Sequence, residues 1–136
     1  MKDPFVQVVY IMKKMILAYN FNDDRLSMLK KAAAPLKLIV MPVQKSDRYK
    51  KIGELIGKEG YSSEDNGEAL DFEDEMIVMS GFNSADIDML LMSMRKHGMG
   101  RIALKAVVTA ANIDWNSYDL YRAVKEDHEA MTKNRG

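Results

Sequence analysis

MILAYNFNDDRLSMLKK, residues 15–31, and MIVMSGFNSADIDMLLM, residues 76–92, repeat one another at an offset of 61. Six of their 17 positions are identical: Met, Ile, Phe, Asn, Met and Leu. Each copy opens on a short apolar run bounded by turn residues, the pattern of a buried strand. Asn22 and Asn83 then stand where a helix N-cap is wanted. Phe21 precedes the first cap and Leu26 follows at the fourth helical position. Phe82 and Ile87 repeat the relation, which is a hydrophobic staple. Asp86, three residues after Asn83, completes a capping-box pair. The same strand-to-helix corner is therefore written twice.

Working outward, each corner leads into a helix. Leu26, Leu29 and Ala33 share a face in the first, and Ile87, Leu90, Leu91 and Met94 share one in the second. Pro35 is read as ending the first helix and Gly98 the second. Apolar runs at 36–41 and 102–108 follow and predict two more strands. A closing helix is expected at about 49–58, with Ile52, Leu55 and Ile56 inward. Another is expected from after Asn116 to about Met131, with Leu120, Tyr121 and Val124 inward. Trp115 and Asn116 repeat the staple and cap. The fold class is α/β: tandem duplicated βαβα units forming one mainly parallel sheet of about four strands packed with helices. The expected half-repeats are 15–59 and 76–131, within a single domain at 15–136. Residues 1–14 read as an N-terminal extension.

Residues 60–75, GYSSEDNGEALDFEDE, hold seven acids and two glycines and read as an acidic linker. Ser62, Glu64, Asn66, Gly67 and Glu73 fall on calcium-loop positions 1, 3, 5, 6 and 12. The first of these wants Asp, and a strand follows where a helix is needed. The better reading is a linker facing Lys45, Arg48, Lys50 and Lys51. No metal or other cofactor is expected.

Composition narrows the classes further. The chain has 136 residues, 47% hydrophobic and 29% charged, an ordinary globular mix. It has no cysteine, which removes disulfides and thiolate chemistry. No stretch approaches the ~18–20 apolar residues of a membrane helix. A secretory signal is not expected either, because Lys13 and Lys14 follow the apolar run at 5–12 rather than preceding it. A soluble, cytoplasmic chain is the expectation. Net charge is zero, which gives no drive toward nucleic acid or a membrane surface. Residues 1–58 nevertheless carry 12 Lys/Arg against 5 Asp/Glu, a balance of +7, and residues 59–136 carry −7.

From residue 15 to 131 the chain resembles domain-of-unknown-function family 3783, a group of short uncharacterised prokaryotic proteins. The resemblance rests on Tyr19-Asn20-Phe21, Gly81-Phe82 and Arg101-Ile102-x-Leu104-Lys105-Ala106-Val107-x-Thr109, then Asn112, Trp115, Leu120 and His128. Ala110 and Ala111 stand where the family pattern has a proline, so that turn is less rigid here. The resemblance implies no activity.

Candidate sites follow from the strand-end rule for α/β sheets. That edge is expected to carry Tyr19, Asn20, Gly81, Thr109, Asn112 and Trp115. Caps and staples account for several of these, and Asn20 and Gly81 also suit left-handed turns. Lys105 interrupts an apolar run on the face of Ala103 and Val107. It reads as a functional buried lysine or as a snorkelling one. The ligand-binding candidates are Tyr19, Asn20, Lys105, Thr109, Asn112 and Trp115. No phosphate-loop, dinucleotide or nucleophile-elbow motif is present, so no catalytic residue is named. His97 and His128 lack a second His one helical turn away. Twelve methionines are unusual, and Met28, Met89 and Met92 lie at or beyond the edge of the inward helical faces. They are the candidate surface for a protein partner or a homo-oligomer. The leading expectation is a non-catalytic interaction or regulatory module. The alternative is a small anionic-ligand binder at the strand ends.

Overall fold

The computed structural model describes residues 14–65 and 71–134. Of the 1–14 extension, only Lys14 falls within them. Asn66 and Gly67 of the calcium-loop reading lie outside them.

Continuous apolar runs bury strands on both faces, and that happens at the two central strands, whereas the edge strands are only partly covered. β1 (Met15–Tyr19), β2 (Ile39–Pro42), β3 (Met76–Ser80) and β4 (Leu104–Val107) form one sheet in the order β2-β1-β3-β4. α1 (Asp23–Ala33), α2 (Ile52–Leu55), α3 (Ser84–Lys96) and α4 (Ser117–Asn134) cover it. Side chains alternate across the pleat. Ile16, Ala18, Ile77 and Met79 join Leu29, Ala32, Leu90 and Met94 in one core beneath α1 and α3. Met15, Leu17, Tyr19, Met76, Val78 and Leu104 join Ile52, Phe72 and Leu120 in a second core beneath α2 and α4.

The outer pairs β1–β2 and β3–β4 are parallel, as a β-α-β crossover requires. The central pair is antiparallel, so the sheet is mixed. Adjacent β-α-β units therefore join head to head rather than continuing one parallel run. Leu17 pairs with Val78, its own counterpart at the offset of 61. On the helical layer Ser93 Oγ donates to the Ala32 carbonyl at 2.7 Å, again an offset of 61. Both contacts thus join positions that correspond at that offset.

The predicted caps are in place. Asn22 Oδ1 accepts from the Arg25 amide, and Asn83 with Asp86 makes the reciprocal capping box. Asn116 Oδ1 accepts from the Asp119 amide at the start of α4. Gly98 (φ 76) closes α3, with the Gly98 amide on Arg95 and the Met99 amide on Met94. Those are the two bonds of a Schellman ending. α1 stops at Ala33, just ahead of Pro35, which lies inside a short 3-10 turn at Ala34–Leu36 that ends at Lys37 (φ 58). The Lys37 and Leu38 amides bond Ala34 and Ala33 in the same pattern.

The fourth element of each half differs. α4 starts after Asn116 as expected and has 18 residues, running three past Met131, but α2 is a single turn of 4. On one side, Lys51 is extended and bridges Asn116 instead of continuing the helix backward. Gly57 (φ 79) stops the turn on the other. Ile52, Leu55 and Ile56 still pack inward.

Candidate functional site

The antiparallel centre of the sheet separates residues that a parallel sheet would bring together. Tyr19 at the end of β1 lies opposite Met76, the start of β3. Val107 at the end of β4 lies beside Met79, at the opposite edge. The strand-end residues thus fall in separate places rather than on one edge.

Tyr19 and Asn20 lie at the first place. Tyr19 is fully buried, and its hydroxyl shares a hydrogen bond of 2.7 Å with Ser117 Oγ. Burial pushes its pKa up to about 12, against the pull of Ser117 and Arg48, so it stays neutral. Asn20 takes the left-handed conformation (φ 64). Its amide donates to the Phe72 and Asp74 carbonyls at 2.8 and 2.9 Å. Its oxygen accepts from Arg48 Nη2 at 2.6 Å.

Arg48 holds this place together. It is 5% exposed. Nη1 bonds the Asp71 carboxylate and, at 2.9 Å, the Phe72 carbonyl. The guanidinium carbon stands 4.5 Å from the Phe72 ring centroid. Phe72 stacks on Tyr121 at 4.0 Å. Tyr121 and Lys125 both donate to Asp74, at 2.7 and 2.9 Å. Lys45 pairs with Asp71 at 3.0 Å and with Glu73. The end of the acidic linker is therefore strapped down by Lys45 and Arg48 from one segment and by Lys125 from α4. Lys45 and Arg48 face it as expected, whereas Lys50 pairs with Asp47 and the Lys51 amide bonds Ser63.

Thr109 and Asn112 form the second place. Asn112 Oδ1 accepts from the Thr109 amide at 2.8 Å, and Thr109 Oγ1 accepts from the Asn112 amide at 3.1 Å. Asn112 Nδ2 donates to the Val107 carbonyl at 3.0 Å. The Val108 amide points inward to Met79, so Val107 and Thr109 present their polar groups outward. The Asn112 carboxamide bonds both, as a residue of a further parallel strand would. It closes that end of the β4 edge. This reciprocal lock stiffens the turn.

Lys105 lies midway along β4, opposite Ile77. It is half-buried and its amine donates to the Ile102 carbonyl. Burial first, then nearby Arg101, lowers its pKa. Trp115 is 39% exposed and sits apart, lining a shallow groove of about 280 Å³ with Asp119, Arg122, Ala123 and Glu126. Its carbonyl accepts from the Ile52 amide.

Of the methionines, Met28 is half-buried against the α1–α3 core. Met89 and Met92 are 52% and 66% exposed on α3. Among the described residues no group of three or more His, Cys, Asp or Glu side chains is arranged to hold a metal ion. None of the described helices is long and apolar enough to cross a membrane.

Over residues 75–131 the chain matches the family model described as Domain of unknown function (DUF3783). That is the family whose resemblance the sequence carries. The DUF3783 segment begins just ahead of β3 and ends within α4. It contains Lys105, Thr109, Asn112 and Trp115, along with Met89 and Met92, but not Tyr19, Asn20 or Arg48. No curated protein and no solved structure matches the chain.

Arg48, Ser117, Asp74 and Tyr121 were not singled out as site residues by sequence reasoning. Arg48 stands in a run of five cations between 45 and 58, and nothing in the pattern marks it as the buried one. Ser117 carried a weak signal, a small polar residue directly after a cap.

Proposed function

We propose that the protein is a non-catalytic interaction or regulatory module that binds a protein partner or itself through the outer face of α3. One observation carries this reading: Met89 and Met92, large apolar side chains one helical turn apart, face solvent on a helix whose other apolar residues are packed. Exposed, flexible methionines suit an adaptable contact surface. The candidate ligand residues, by contrast, spend their polar groups within the chain. Tyr19 bonds Ser117, Asn20 bonds Arg48 and the linker end, and Asn112 bonds its own turn. Internal duplication, a prokaryotic origin and a cytoplasmic location belong to the same reading, as does the lack of a nucleic-acid or membrane partner.

A second reading, a small anionic ligand, is favoured by Arg101 beside Lys105. Neither cation has a carboxylate partner among the described residues. Thermal unfolding followed by Trp115 fluorescence separates the two. A ligand present at a hundred times its dissociation constant adds about 2.7 kcal/mol. A panel of nucleotides, phosphates and carboxylates should leave the midpoint unmoved. A rise of several degrees that disappears in Lys105→Met would overturn the interaction reading in favour of the anion site.

A further inference from the structure

We infer that the partner of the α3 face is a second copy of this chain, with α3 packed antiparallel against its counterpart about a twofold axis near Met89 and Met92. This rests on the interaction reading above and names its occupant.

The argument is the order of residues along that face. Ala85, Asp88, Met89, Met92, Arg95 and Lys96 recur at the three- and four-residue spacing that shares one side of a helix. All six are exposed. The acid lies toward the amino end, the methionines lie in the middle, and the bases lie at the carboxyl end. Antiparallel pairing with an identical face sets methionine against methionine. It also sets Asp88 within a turn of Arg95 and Lys96 of the other copy, twice, as an isologous contact demands. A parallel pairing would oppose like charges.

The three charges are available. None of Asp88, Arg95 or Lys96 enters an ion pair among the described residues, although Lys14, Arg25, Lys45, Arg48, Lys50 and Lys125 all do. Ala85 is small enough to let the backbones approach. α3 has 13 residues, a length of about 20 Å. Two such faces bury less than the ~1,200 Å² of a standard interface, so the contact belongs to the weak, exchanging class.

Sedimentation velocity of the full chain tests this, over about 1 µM to about 1 mM, the span suited to weak complexes. The weight-average mass should climb from one chain toward two, and Met92→Lys should hold it at one. Asp88→Arg and Arg95→Asp should each weaken association by about tenfold, because each converts two attractive pairs into repulsive ones. The double variant should recover most of that loss. All three positions face solvent, so an unchanged unfolding midpoint certifies the fold of each variant. A single-chain mass at every concentration, or a dimer indifferent to Met92→Lys, overturns the inference. Either result leaves the broader interaction reading to be judged by the ligand panel, which does not depend on self-association.

Discussion

Arg48 shows how much one residue can hold. Its guanidinium is almost wholly withdrawn from water and joins Asn20, Asp71 and Phe72 through four contacts on two segments. Arg48→Met would remove the charge but keep much of the stem. Asp71 would retain Lys45 and the Phe72 carbonyl would retain Asn20. The Asn20 oxygen would be left without its donor. A buried acceptor stranded in this way costs roughly 2 kcal/mol. That corresponds to a fall in unfolding midpoint of roughly 6–10 °C for a domain of this size. Lys45→Met, at a 62% exposed side chain, should move the midpoint by no more than about 2 °C. Calorimetry on the two variants checks the contrast, and equal midpoints would remove Arg48 from its central place. The residue-level reading of the sequence was correct where a local rule applied. Asn20 and Gly81 do take left-handed turns, and Asn22, Asn83 and Asn116 do cap. It set Arg48 against the linker but had no means of singling it out as the buried cation, because burial is decided by what returns over it from far along the chain.

At the scale of elements, the linker end at 71–75 is held by charge, and this gives it a pH dependence of known sign. The hydrogen bond from Lys45 holds the Asp71 carboxyl below its ordinary value, and the Tyr121 and Lys125 bonds do the same for Asp74. Asp86 is lowered by the Asn83 amide and then by Lys14. A carboxyl lowered on folding contributes stability above its unfolded value and loses it as pH falls through the folded one. The chain should therefore lose stability on acidification from about pH 5 to about pH 2. Asp74→Asn should start lower at pH 7 and fall less steeply across that window, since its contribution is already gone. Midpoints measured from neutral pH downward test this, and parallel curves for the two proteins would refute it. The elements themselves were largely legible, because strand burial and helix caps are local patterns. The antiparallel joint between β1 and β3 was not. Apolar runs record that a strand is covered on both faces, not which way its neighbour runs. The 20-residue connection from α2 to β3 allows either direction. The candidate site suffered with it, since one edge in a parallel sheet is two edges in this one.

Across the whole molecule, the offset of 61 orders more than the strands. Asn20 corresponds to Gly81 and Lys37 to Gly98, and all four take positive φ. Arg25 of α1 grips Glu75 ahead of β3 through two hydrogen bonds of 3.0 and 2.8 Å. Its counterpart is Asp86 of α3 gripping Lys14 ahead of β1 at 2.8 Å. Position 25 maps to 86 and position 75 to 14, so one ion pair occurs twice with its signs exchanged. The two polarities are not equivalent. An acid in the first turn of a helix opposes the positive end of the dipole, and Asp86 also completes a capping box. Arg25 sits at the same third helical position, where its charge meets that dipole unfavourably. The double variant Arg25→Asp, Glu75→Lys would give α1 the polarity that α3 already has, with Asn22 waiting as the cap. Its stability should equal or exceed that of the natural protein by about 0.5 kcal/mol, within the range of a single helix-terminal charge. Arg25→Asp alone should be destabilised relative to the double variant, because Glu75 would then face a second carboxylate. Both pairs are partly exposed, so the differences should shrink as salt is raised. Urea midpoints of the four proteins of this cycle, at low and high ionic strength, decide the matter. A double variant less stable than the single would mean that the two halves hold their ion pairs by different packing, and that the correspondence ends at the backbone.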